Sequence, residues 1–212
     1  MEAKTIREYY LSRENMLKTI RYRGYGVPEK YILRDIDEFI QRFSLNDNDS
    51  VEQLKSAMSG ITFTGITDKI VVYWYSDRRL GVGIREIVND MENNAVKKAL
   101  VVADDGMTPG CQDILKNLKL TKQIIIDVWT LKESMIFAPE HALVPKHRVC
   151  TLQEKKALYK SYGLKNKSEL PHIKSDDVQV KYLGASKGQL IEITRKSDTN
   201  PKLDIITYRI VV

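Results

Sequence analysis

From Ile61 to Val128 the apolar residues change their period repeatedly, and this alternation leaves few folds open. Ile61–Ile66 and Lys69–Tyr75 are rich in β-branched and aromatic residues and are divided by Thr67-Asp68, which predicts a hairpin. Ile84, Ile87, Val88 and Met91 then recur at helical spacing. Ala99–Ala103 is a short, wholly apolar run, the pattern of a strand buried on both faces. Thr108-Pro109 combines an N-cap residue with a first-turn proline and opens a helix with Ile114, Leu115 and Leu118 inward. Gln123–Val128 reads as another buried strand. Strand, helix, strand, helix, strand over 69–128 predicts an α/β layer fold, a mixed sheet covered by helices.

The flanks fit this frame. Ile6, Tyr9, Tyr10, Met16, Leu17 and Ile20 make one stripe of a helix over 5–21 that stops before Gly24 and Gly26. Pro28 is expected to open a second helix, with Ile32, Ile36, Phe39, Ile40 and Phe43 inward. Polar Ser44–Ser50 reads as a loop, and Val51, Leu54 and Met58 as a short third helix. Near Pro139–Pro145 the pattern shifts, which places an N-terminal domain at 1–140 and a C-terminal one at 141–212. In the second, Thr151-Leu152-Gln153-Glu154 is a capping box before a helix expected to bury Ala157, Leu158 and Tyr162, stopped by Gly163. A short helix is expected from Ser175 or Asp176 to Gly184. Gln189–Thr194 and Ile205–Val211 are expected to close a small α+β domain as an antiparallel hairpin around Asn200-Pro201. Alternation along Ile205–Val211 predicts one buried face, with Thr207 and Arg209 on the other; an apolar strand so placed must pack inside its domain or be covered by a partner.

Composition narrows function by exclusion. No apolar run approaches the roughly 18 residues that span a bilayer, so no membrane partner is expected. Cys111 and Cys150 are far apart and fit reduced thiols better than a disulfide framework. With three histidines they are too few and too scattered for a structural zinc site, so neither metal nor cofactor is expected. Charge is uneven: residues 1–142 carry 20 Lys and Arg against 21 Asp and Glu, whereas 143–212 carry 14 against 7. A basic C-terminal third suits nucleic acid, an acidic partner, or simply a solvated face.

The α/β layout invites a metal-dependent nuclease, which needs paired carboxylates and a lysine two residues beyond the second. Only Glu2-Ala3-Lys4 and Glu154-Lys155-Lys156 have that spacing, neither on a suitable strand, and Asp104-Asp105 at a strand end read better as loop caps. Gly81-Val82-Gly83 lacks the third glycine and the Lys-Ser/Thr of a phosphate loop. His147 lies three residues from Cys150 without a visible oxyanion site. The helix start at Thr108-Pro109-Gly110-Cys111 offers free N–H groups to a phosphate, although Asp104-Asp105 precede it.

One continuous pattern outweighs these fragments. His141-Ala142-Leu143-Val144-Pro145-Lys146-His147-Arg148-Val149, Leu170-Pro171-His172-Ile173, Lys181-Tyr182-Leu183-Gly184, Lys187 to Ile193, and Thr207-Tyr208-Arg209-Ile210-Val211-Val212 follow in order. Together they resemble the C-terminal domain of the fifth subunit shared by eukaryotic nuclear RNA polymerases, a domain that archaeal polymerases share. Fainter similarity runs through Arg23-Gly24-Tyr25, Val82-Gly83-Ile84, Lys98-Ala99-Leu100-Val101-Val102 and Gly106-Met107-Thr108-Pro109. The resemblance implies a non-catalytic subunit of a DNA-directed RNA polymerase, with an N-terminal jaw near downstream duplex DNA and a C-terminal domain that docks onto the largest subunit. It implies a nuclear location, or cytoplasm or virion for a viral member. It assigns Thr108 and Pro109 to weak, non-specific DNA contact, and His147, Arg148, Tyr182, Arg195, Tyr208 and Arg209 to assembly. The chain departs from the family at Gly110-Cys111 in place of Ser-Ala, at Val178 in place of proline, and at Lys181 in place of arginine. Its 195–201 turn, Arg195-Lys196-Ser197-Asp198-Thr199-Asn200-Pro201, also differs. The rival readings are a stand-alone metal-dependent nuclease and a basic nucleic-acid-binding module.

Overall fold

In the computed structural model, residues 2–45, 50–75, 80–164, 166, 169–197 and 203–212 are described. The chain forms two compact units, Met1–Ile136 and Phe137–Val212.

The first unit is built on a four-stranded sheet in the order β1 (Ile61–Thr64), β2 (Lys69–Tyr75), β3 (Lys98–Ala103), β4 (Ile125–Thr130). β1 and β2 are the antiparallel hairpin, and β2, β3 and β4 run parallel. Period-two alternation sends Val71, Tyr73, Ala99, Val101, Ala103, Ile126 and Val128 to one face. They pack there under α4 (Leu80–Asn93) and α5 (Pro109–Thr121) through Ile84, Ile87, Val88, Met91 and Cys111. The other face is covered by α1 (Ala3–Tyr22), where Trp74 Nε1 donates to Ser12 Oγ at 2.9 Å and Ser134 Oγ of the short α6 (Leu131–Ser134) donates to the same oxygen at 2.7 Å. β3 is therefore apolar from Ala99 onward because it has helices on both sides; each Val or Leu side chain removed from water contributes about 2 kcal/mol.

Two expectations for this unit need correction. Pro28 does not open a long helix: it precedes a single 3-10 turn, Glu29–Tyr31, and Ile32 is extended and exposed. The helix proper is α2 (Ile36–Arg42), because Asp35 caps it by accepting from Glu38 N at 2.9 Å while Glu38 Oε2 accepts from Arg34 N at 2.8 Å. Phe39 alone of that face is fully buried. Gly83, expected in a turn before the helix, lies within α4, and a Cβ there would sit 1.9 Å from Tyr75 Cζ. That glycine is needed for close packing of the Tyr75 ring. α3 (Val51–Met58) is the expected short helix and starts at a Ser50–Gln53 capping box, and residues 46–49 of the expected Ser44–Ser50 loop lie outside the described residues.

The second unit has a four-stranded sheet in the order β5 (Lys146–Val149), β7 (Leu190–Lys196), β8 (Asp204–Val211), β6 (His172–Ile173). β7 and β8 are the expected antiparallel hairpin, in a register that opposes Glu192 with Tyr208 and Ile191 with Arg209. Its Asn200-Pro201 turn is outside the described residues. Ile173, Ile191, Ile193 and Val211 form the core with Val180 of α8 (Val178–Leu183). Asp177 caps α8, a little later than expected, and Gly184 ends it at φ 62°.

The expected burial is corrected in two places. α7 (Leu152–Ser161) opens at the Thr151–Glu154 capping box but buries no residue: Leu152 is 77% and Tyr162 68% exposed, and Ala157 is exposed as well. β8 does not alternate between a buried and a solvated face. Ile210 and Val211, on opposite faces, are both buried, whereas Ile205, Ile206, Thr207 and Arg209 are exposed. Burial changes along the strand, not across it.

Candidate functional site

The first candidate is the start of α5. Thr108 and Pro109 are exposed, Thr108 Oγ1 accepts from Cys111 N at 3.3 Å, and no acidic residue stands in the first turn. The departures from the family pattern are accommodated: a Cβ at Gly110 would meet nothing within 4 Å, and Cys111 is buried in the core under the helix. Asp104, just upstream, is not a loose negative charge. Lys55 Nζ of α3 lies 2.5 Å from Asp104 Oδ2, and Tyr9 OH donates to Oδ1 at 3.1 Å. The Lys55 side chain is 3% exposed and that of Asp104 43%, so a cation fixed from inside offsets the Asp104 charge in the turn that leads to the helix, and Asp105 stays exposed. Burial, and then Asp104, holds the Tyr9 phenol protonated well above the usual tyrosine range.

The second candidate is one face of the C-terminal sheet, where cross-strand register brings together residues far apart in sequence. Arg148 of β5 opposes Glu192 of β7, which opposes Tyr208 of β8. Arg148 Nε and Nη2 donate to Glu192 Oε1 and Oε2 at 2.8 and 2.6 Å, the bidentate geometry that suits a guanidinium. Arg148 Nη1 reaches Glu154 Oε1 at 2.9 Å, and Tyr208 OH donates to Glu192 Oε2 at 3.3 Å. The hydrogen bonds to Glu192 and then Glu154 raise the Arg148 pKa further. Glu154 is held below the usual carboxylate range, first by the Thr151 N–H and then by Arg148. Arg148 and Tyr208 thus meet on Glu192, and Arg148 also holds Glu154; neither carboxylate stands among the residues the sequence assigns to assembly. The capping box marks Glu154 in the sequence, but only strand register could have found Glu192.

The other residues lie elsewhere. Tyr182 is interior, in edge-to-face contact with Phe137 at 5.3 Å between ring centroids, so it cannot present itself to a partner without rearrangement. His147 opposes Ile193 on the core-facing side, and its Nδ1 lies 2.7 Å from Pro145 O. Arg195 is exposed near the outer end of the hairpin opposite Ile205. Arg209 is on the face opposite Tyr208, and its Nη1 donates to His172 O at 3.3 Å. Burial raises the Cys150 pKa, the reverse of what a nucleophilic thiol needs. Among the described residues no three of His, Cys, Asp and Glu gather as metal ligands, and no helix is long and apolar enough to cross a membrane.

Comparison with known proteins gives the family. Residues 138–211 match the model of the RNA polymerase Rpb5 C-terminal domain. The chain is 30% identical over 206 residues to the Caenorhabditis elegans DNA-directed RNA polymerases I, II, and III subunit RPABC1, covering 94% of this chain and 93% of that one. It is 32% identical over 147 residues to the Dictyostelium discoideum subunit of the same name, covering 69% and 73%. It is 26% identical over 192 residues to the Arabidopsis thaliana DNA-directed RNA polymerase V subunit 5A, covering 90% and 82%. Nearly full-length similarity at this level places the chain in the Rpb5 family of RNA polymerase subunits, as a divergent member.

Proposed function

We infer that this chain is a non-catalytic subunit of a multisubunit DNA-directed RNA polymerase in the nucleus, with separate tasks for its two units. The second unit docks onto the largest subunit. The first carries the start of α5 to the downstream duplex, where Thr108 and Pro109 approach phosphates weakly and without sequence preference. The observation that carries the docking half is the apolar surface left bare in the second unit. Ile206 lies on the strand face of Tyr208 and the charged cluster and Ile205 on the opposite face; both are exposed, as are Leu152 and Tyr162 at the ends of α7. Such an arrangement suits an interface with an apolar centre and a polar rim. Arg195 and Arg209 remain for charged contacts with the partner, Arg209 as a paired contact that docking partly buries.

The test is co-purification of tagged chain from its source cell, with Ile206→Asp and Tyr162→Asp beside wild type. Wild type is expected to bring down polymerase subunits in fixed proportion, and the variants to lose the largest subunit while their isolated melting temperatures stay close to wild type. Equal recovery with both variants would refute docking through this surface.

A further inference from the structure

The first unit has a groove that neither proposed task uses. It lies between α3, β2 and α4 and encloses about 290 Å³. Tyr73, Tyr75 and Ile87 form its apolar part, and Glu52, Glu86 and Asp90 contribute three carboxylates. Lys55 also lines it, but its ammonium is held at 2.5 Å by Asp104 and does not cancel them. Asp90 is fixed in place: it accepts from the Tyr73 hydroxyl and, through Oδ1, from Asn94 Nδ2 at 3.0 Å. Burial and then the Asp90 bond hold the Tyr73 phenol protonated far above its usual range, so it stays a donor to that carboxylate. Glu52 and Glu86 are exposed and form no ion pair with another described residue.

This chemistry selects its occupant. The volume falls at the lower limit of small-molecule pockets, which start at roughly 300 Å³, and so fits one long side chain rather than a cofactor. Three carboxylates around phenol rings repel anions and attract a cation that also gains from aromatic contact. A guanidinium suits this better than an ammonium, because it is planar, weakly hydrated, and can stack while its edge meets carboxylates. We propose that the groove receives an arginine from a basic segment of a partner protein. The proposal does not depend on the docking or DNA contacts above.

The test is a titration of the full ¹⁵N-labelled chain with a short Gly-Ser peptide carrying one arginine, and with the same peptide carrying citrulline, which keeps the shape and loses the charge. The arginine peptide should shift the amides of Tyr73, Tyr75 and Ile87 and bind about tenfold more tightly than the citrulline peptide. Glu52→Gln with Glu86→Gln should weaken it by about tenfold, whereas Asp105→Asn, on an exposed turn outside the groove, should leave it unchanged. Equal binding of the two peptides, an equal loss in Asp105→Asn, or shifts spread away from the groove would each overturn the proposal.

Discussion

The Lys55–Asp104 pair allows a test in which the two halves of one interaction should cost different amounts. Lys55→Met keeps an unbranched side chain and removes the charge; Asp104→Asn keeps the shape and removes the other charge. Breaking a buried pair typically costs about 3–5 kcal/mol, and breaking an exposed one about 0–1 kcal/mol. After Lys55→Met the remaining carboxylate is 43% exposed, can rehydrate, and keeps the Tyr9 hydroxyl at 3.1 Å, so the loss should be about 1 kcal/mol. After Asp104→Asn the remaining ammonium is 3% exposed without a countercharge, so the loss should be about 3 kcal/mol. On a unit of this size each kcal/mol moves the melting temperature by about 3 °C, which predicts falls of about 3 and 9 °C. The double variant should recover most of the larger loss, because no stranded charge remains. Tryptophan fluorescence reads the correct unit, since both tryptophans, Trp74 and Trp129, lie in Met1–Ile136. A larger loss from Lys55→Met than from Asp104→Asn, or simple additivity in the double variant, would refute the reasoning.

Three further outcomes follow from the second unit. A fragment of residues 137–212 should fold alone and unfold cooperatively, with dispersed amide resonances; a disordered spectrum would sink that division of the chain. Glu154, held below its ordinary range by the Thr151 N–H and Arg148, stabilises the fold above the unfolded carboxylate pKa and loses that contribution as pH falls through its folded value. The melting temperature of this fragment should therefore drop on acidification, and less steeply in Glu154→Gln. Arg209→Ala should barely change that melting temperature, because the lost bond to His172 O is a single exposed one at 3.3 Å, yet should weaken association with the largest subunit by about 2–5 kcal/mol in a pull-down titration.

Local signals predicted local structure well. The caps at Thr108 and Thr151, the double-sided burial of Ala99–Ala103 and the β7–β8 hairpin all follow from residues within a few positions of one another. The failure at Pro28 was also legible: Asp35 and Glu38 have the spacing of a capping pair, and they compete with a proline-led start that would bury Ile32. Glu192 was not legible. Its partner Arg148 is 44 residues away, and only the β5–β7 register puts the two opposite each other. The Lys55–Asp104 pair is hidden for the same reason, spanning 49 residues between a helix and a strand end.

The burial of β8 and α7 failed for a different reason, and that reason bears on function. Sequence patterns show which residues are apolar enough to be covered, but not whether the cover comes from the same chain. Ile210 and Val211 find it within their own unit, against Leu190, Ile191 and Ile173. Leu152, Tyr162, Ile205 and Ile206 do not. Burying such a side chain fully contributes about 1.5–3 kcal/mol; Leu152 and Tyr162 are 77% and 68% exposed but Ile205 and Ile206 only 41% and 51%, so what the four leave uncovered is a fraction of the stability of a small unit. The expectation of burial for Tyr162 and for the Ile206 face of β8 is met if a docked partner covers them: the second unit has a core of its own, and the proposed docking would complete the rest of its apolar pattern.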